Sequence, residues 1–123
     1  MPPIYHITSR AEWDAALLSG SYRAPSLDKE GFIHCSTAQQ IVPVANNFYR
    51  GQSDLLLLCI DPDQLAAEVR FEPPINPQTG QPEPDKPDLF PHLYGAVNIG
   101  AVVDVIPFPP NADGTFALPD GIA

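Results

Sequence analysis

The run "DLLLLCI" (Asp54 to Ile60) places six apolar residues in succession between turn signals. A strand with one wet face alternates apolar with polar, so an unbroken run this short marks a strand covered on both faces. Such a strand constrains everything around it, because it needs neighbours along both edges and packing above and below. It is the expected centre of the sheet.

Two stretches upstream share one pattern. "HITSRAE" (His6 to Glu12) and "HCSTAQQ" (His34 to Gln40) both read His-x-Thr/Ser-Ser/Thr-x-x-Glu/Gln, 28 residues apart. Their second halves match the capping box, in which a Ser or Thr accepts from the backbone three residues on while the Glu or Gln there reaches back. Ser9 with Glu12 and Thr37 with Gln40 therefore predict two helix starts. The segments before them, "IYHIT" and "GFIHCS", have β-branched and aromatic strand chemistry. Each histidine is thus expected near the end of a strand that runs into a helix.

The first helix carries Trp13, Ala16 and Leu17 on one face and stops at Gly20; the second carries Ile41, Val44, Ala45 and Phe48, stops at Gly51, and is expected to kink or restart at Pro43. "SYRAPSLDKE" (Ser21 to Glu30) reads as a loop. "AEVRFE" (Ala67 to Glu72) reads as a half-buried strand, "AVVDVIPF" (Ala101 to Phe108) as the last strong strand, and "GTFALP" as a short edge strand in the C-terminal tail, 109–123. Between them, 73–91 holds seven prolines in nineteen residues, an extended surface loop that serves as a lid or as a plain insertion. Strands both precede helices and follow one another, and 123 residues suit a single compact domain. The expected class is α+β, a mixed twisted sheet packed by two main helices.

Composition excludes several functions. With six Lys and Arg against fifteen Asp and Glu, the net charge is -9, a poor match to phosphate backbones, so nucleic acid is an unexpected partner. No apolar run is long enough to span a bilayer and "MPPIYHITSR" carries no secretory pattern, so a cytoplasmic protein is expected. Cys35 and Cys59 both lie in apolar runs and read as buried reduced thiols.

The three histidines all have strand-like surroundings: "IYHIT", "FIHCS" and "FPHLYG". Residues two apart in a strand share a face, which groups His6 with Thr8, His34 with Phe32 and Ser36, and His92 with Phe90 and Tyr94. Each imidazole then has a hydroxyl on its own face, and all three are expected in one pocket. Imidazoles and hydroxyls suit ribose hydroxyls and a carboxamide, while neighbouring aromatics such as Tyr5 and Tyr94 stack on a flat ring. A three-histidine zinc site competes with this reading, but no two histidines have local ligand spacing, and no metal is expected. Cys35 as a nucleophile is disfavoured, since adjacent strand residues point to opposite faces. For any single histidine the bland alternative is a satisfied core residue.

Together, "IYHIT", "SLDKEGFIHCST", "FPHLYG" and "AVVDVI" resemble the bacterial family called domain of unknown function 952, over about Ile4 to Phe108. That family is in turn similar to the ADP-ribosyltransferase superfamily, whose members split NAD in a cleft of a mixed sheet. The resemblance implies an ADP-ribosyltransferase-like fold. It also implies that His6 and Thr8 hold a ribose of NAD, that Phe32, His34 and Ser36 form the second motif, and that His92 stands where many members have glutamate. The RNA 2'-phosphotransferases share that histidine pattern but use arginines on RNA, whereas this acidic chain has only Arg10, Arg23, Arg50 and Arg70.

Two functions of different class follow. In one, the cleft cleaves NAD: His6, His34 and His92 act at the reacting centre, Tyr5, Thr8, Phe32, Ser36 and Tyr94 contact the nucleotide, and Glu30 or Glu72 steadies positive charge. In the other, the same cleft is a non-catalytic module for a small nucleotide-like molecule.

Overall fold

A computed structural model describes residues 1–76, 78–83 and 88–122, so the proline-rich segment 73–91 is described only in part. The chain runs β1 (Ile4–Ser9), α1 (Arg10–Ser19), β2 (Ser21–Tyr22), α2 (Pro25–Glu30), β3 (Ile33–His34), α3 (Ile41–Phe48), β4 (Leu55–Ile60), β5 (Glu68–Glu72), β6 (Phe90–Tyr94), β7 (Val97–Asn98) and β8 (Val102–Pro107). Single 3₁₀ turns at Pro62–Gln64 and Ile99–Ala101 precede β5 and β8. The class is α+β.

The apolar run forms β4, the middle of a three-stranded sheet ordered β1-β4-β8. Both of its faces are covered. Leu56, Leu58 and Ile60 pack with Ile4, Trp13, Tyr22, Ile33 and Leu93. Leu55 and Leu57 on the opposite face pack with Tyr5, Ile7, Ile41, Ala45, Phe108 and Phe116. A second sheet, β3-β6-β5, and a short ladder, β2-β7, complete the architecture. Every strand pairing among the described residues is antiparallel, where a mixed sheet is expected from the sequence.

The two larger sheets meet at one point. Beyond β3, Ser36 exchanges backbone hydrogen bonds with Tyr5 of β1, both 2.8 Å, while Cys35 N–H donates to the Pro91 carbonyl of β6. One extended segment therefore leaves the second sheet and joins the first, and a cleft opens where they part.

Several local expectations are corrected. Residues 21–30 are not a loop: Pro25 occupies the first turn of α2, where its missing N–H costs nothing, and Gly31 ends the helix with φ 88°. Ser9 caps α1 as expected, its Oγ accepting from Glu12 N–H at 3.1 Å. Thr37 does not cap α3. The Gln40 side chain accepts from Thr37 N–H at 3.0 Å, but residues 38–40 form a turn and the helix begins at Ile41. Pro43 then falls in the first turn, where no carbonyl is waiting for an N–H, so α3 neither kinks nor restarts. Leu17 is exposed rather than packed with Trp13 and Ala16. "GTFALP" forms no strand; Phe116 instead stacks on Phe108 with ring centroids 4.9 Å apart, and its N–H donates to Asn46 Oδ1 of α3 at 2.8 Å.

Candidate functional site

The cleft holds a cavity of about 430 Å³. Its walls are the edge of β1 (Tyr5, His6, Ile7), the β3 and β6 face with the link to Ser36 (His34, Ser36, Phe90, His92), α3 and the residue after it (Val44, Phe48, Tyr49), and Glu30, Pro74 and Ile75. All three histidines reach it. His34 and His92 are direct cross-strand partners, a pairing of residues 58 apart that no local pattern reveals.

Their chemical situations differ. His6 is buried and both ring nitrogens have partners: Nδ1 lies 2.6 Å from the His34 carbonyl and Nε2 lies 2.8 Å from the Tyr22 hydroxyl. A carbonyl only accepts, so Nδ1 carries the hydrogen. Burial pulls the ring's pKa down to about 4, so Nε2 is a lone pair that accepts from Tyr22. The Tyr22 oxygen, 2.9 Å from Thr8 Oγ1, is then free to accept from Thr8. The result is a directed chain from Thr8 through Tyr22 and His6 to His34. Burial also pushes the Tyr22 phenol up. His6 has the satisfied surroundings of a core histidine.

His92 is 1% exposed. Its Nδ1–H donates to Glu72 Oε1 at 2.9 Å, and Phe32 stacks on the ring at 4.1 Å and 20°. Nε2 has no hydrogen-bond partner among the described residues. Burial lowers the ring's pKa, with Glu72 opposing, so the neutral form presents an Nε2 lone pair toward the cavity. Glu72 is held in turn by the Tyr94 hydroxyl, the main reason its own carboxyl lies below the usual range. Arg70 covers the Tyr94 ring at 4.6 Å.

His34 is the exposed member. Its Nε2 lies 2.9 Å from Glu30 Oε2 at the end of α2, and the ring stands edge-on to His92, with centroids 5.6 Å apart.

Among the other expected site residues, Tyr5 and Ser36 line the cavity. Ser36 is 6% exposed, and its hydroxyl has no partner among the described residues. Thr8 lines an adjoining cavity instead. Phe32 acts through His92, and Tyr94 is turned onto Glu72, so neither flanks the cavity as an open ring wall. Cys35 borders the cavity but packs mainly in the core, where burial pushes its thiol up to about 12 and keeps it from acting as a nucleophile. Cys59 is also a free thiol but only half-buried, short of the burial expected. Among the described residues, no three His, Cys, Asp or Glu side chains are grouped to hold a metal ion, and no helix is long and apolar enough to cross a membrane.

Sequence reasoning missed Tyr22 and Tyr49, took Val44 and Phe48 only as a core-facing stripe, and placed Phe90 on the face of His92 without assigning it a contact. An aromatic in the polar stretch "SYRAPS" was the available signal for Tyr22. Phe48 is 58% exposed and lines the cavity instead of packing in the core with Ile41 and Ala45.

A protein-family model described as "Protein of unknown function (DUF952)" matches residues 7–105. The chain belongs to this family. Its solved relatives include protein CC0527 from Caulobacter crescentus, whose crystal structure is 32% identical, with a TM-score of 0.80 over 98% of this chain and 97% of that one. The solution NMR structure of CC0527 is 33% identical, with a TM-score of 0.71 over 100% and 98%. No curated protein matches the chain. The DUF952 match begins three residues inside the Ile4 boundary implied by the motifs; it takes in His34 and His92 and starts one residue after His6.

Proposed function

We propose that the cleft binds a small nucleoside-like molecule, a flat ring carrying hydroxyls, and that His92 is the group acting on it. One observation carries the reading: a buried imidazole, oriented through Nδ1 by Glu72, keeps Nε2 unengaged at a wall made otherwise of aromatic and apolar groups. A volume of about 430 Å³ lies in the range of small-molecule sites. Ser36 and His34 supply further hydrogen bonds, and Tyr5, Phe48, Tyr49 and Phe90 supply ring contacts. His6 serves as a positioning residue that ties β1 to His34.

NAD is the substrate that the resemblance read from the sequence motifs would imply, and its nicotinamide riboside end suits these walls. If nicotinamide is displaced, His92 Nε2 takes the proton of the attacking hydroxyl, and Glu72 holds the imidazolium that forms, an arrangement worth about 10²–10⁴ in rate. The second reading, a non-catalytic module, draws support from Glu72 being committed to His92 and Tyr94, which leaves Glu30 as the carboxylate on the cavity wall.

Incubation with NAD, with free nicotinamide measured chromatographically and the histidine ring signals followed by NMR, separates these outcomes. Release that is lost in His92→Ala indicates the enzyme. Saturable shifts of His34 and His92 without release indicate the module. If NAD, nicotinamide riboside and adenosine all leave those signals unmoved, the proposal fails.

A further inference from the structure

A second cavity of about 300 Å³ adjoins the first, and His6, Ile7, His34 and Tyr49 are walls of both. The two differ in chemistry. The larger has mainly rings and aliphatic groups around the unengaged His92 Nε2 and Ser36 hydroxyl. The smaller adds Ser9, Glu12, Ser26 and Gln52, and the Ser26 and Gln52 side chains have no hydrogen-bond partner among the described residues.

Charge narrows what such a lobe accepts. Among the described residues no lysine or arginine lines either cavity, while Glu30 borders the larger and Glu12 the smaller. A phosphate can also be held without cations, on the free amides at a helix start. That route is closed at α1: Ser9 Oγ takes the Glu12 N–H, and the Glu12 carboxylate, which accepts from the Ser9 hydroxyl at 3.1 Å, occupies the same end. The start of α2 also borders the smaller cavity without a side-chain cap, but this single short helix offers little: Pro25 has no N–H and the Leu27 N–H is taken by the Ala24 carbonyl.

We infer that the two cavities are lobes of one site, the larger for a flat ring and the smaller for an uncharged hydroxylated group such as a sugar, so that the ligand is a nucleoside or glycosylated ring and not its phosphate ester. The inference rests on the proposed function and adds the ligand's second half and its charge. NAD is itself a 5'-phosphate ester of nicotinamide riboside, so the nucleoside reading holds with the free riboside, and not NAD, as the better-fitting ligand.

The test uses the full chain and three probes: nicotinamide, nicotinamide riboside and nicotinamide riboside 5'-monophosphate, titrated calorimetrically and by NMR. The riboside is expected to bind about tenfold or more tightly than its monophosphate at low salt, with the gap narrowing at high salt. Glu12→Gln is expected to narrow it too. Ser26→Leu, which fills the smaller lobe, is expected to reduce riboside affinity to that of the free base while base affinity holds. Shift mapping on the wild type gives a second readout that needs no variant: the riboside must move Gln52 and Ser26 signals that the base leaves in place.

A monophosphate that binds as tightly as the riboside, or a riboside that moves only the larger cavity, overturns the inference while the base still reports the proposed ring site. Absence of binding by all three probes removes both.

Discussion

Acid should weaken the fold through His6, by an amount the structure sets. The ring's pKa falls from 6.5 to about 4 because it is buried. The unfolded chain takes up this proton near pH 6.5, and the native protein resists until about 4. Within that window the unfolded state binds more protons, so unfolding free energy drops as pH drops. At 1.36 kcal/mol per unit, about 3 kcal/mol of stability present at pH 7 is gone by pH 4. The assay is urea unfolding at closely spaced pH values for the wild type and His6→Asn, which keeps a donor for the His34 carbonyl but cannot be protonated. The variant should be weaker at neutral pH by about 1–3 kcal/mol, from the lost ring volume and the Tyr22 contact. The difference should then shift by about 3 kcal/mol in the variant's favour between pH 6.5 and 4, closing or reversing the gap, since carboxylate effects cancel in the difference. Parallel curves, with the gap constant across that window, would refute the placement of a neutral buried imidazole at this position.

Other expectations follow from the same geometry. Glu72→Gln should lower the His92 pKa further, because the carboxylate is what opposes burial; a rise in the NMR titration midpoint would contradict the Nδ1 contact. Under native conditions a thiol reagent should label half-buried Cys59 well before Cys35, and equal rates would contradict the core placement of Cys35. Gly95→Ala should cost about 1–3 kcal/mol, since an added Cβ meets Ala67 Cβ at 2.7 Å; Ala67→Gly should recover part of that loss in thermal unfolding. Phe116→Ala should cost about 3–5 kcal/mol, and a loss below about 1 kcal/mol would mean that the tail does not anchor on Phe108 and α3.

Where a single segment decides its own structure, the sequence is readable. Six apolar residues identify β4 because no other placement covers both of its faces, and Ser9 identifies α1 because its side chain meets an amide only three residues away. The facing of the histidines is legible for the same reason, alternation being local. What alternation cannot supply is the partner: His34 meets His92 through a register set by tertiary pairing, and Tyr22 reaches His6 from a stretch that its proline made look irregular. The Thr37 box is only half made: Gln40 reaches back to Thr37 N–H, but the Gln40 N–H goes to the Thr37 carbonyl in a turn rather than to its hydroxyl, and the Gln40 Nε2 is anchored on the Leu89 carbonyl at 2.8 Å. That contact lies 49 residues away and is invisible to a four-residue pattern.

The order β1-β4-β8 also bears on how the molecule is made. The first strand has no partner nearby in sequence: Ile4 faces Ile60, and β4 in turn waits for β8. A chain emerging from the ribosome can form α1 early, but β1 stays an open edge until some fifty further residues have been synthesised, and closure of such distant pairs is the slow part of folding. The cleft is therefore assembled late. His6 finds Tyr22 and the His34 carbonyl early in the chain, yet its strand edge stays open until Leu58 arrives opposite it.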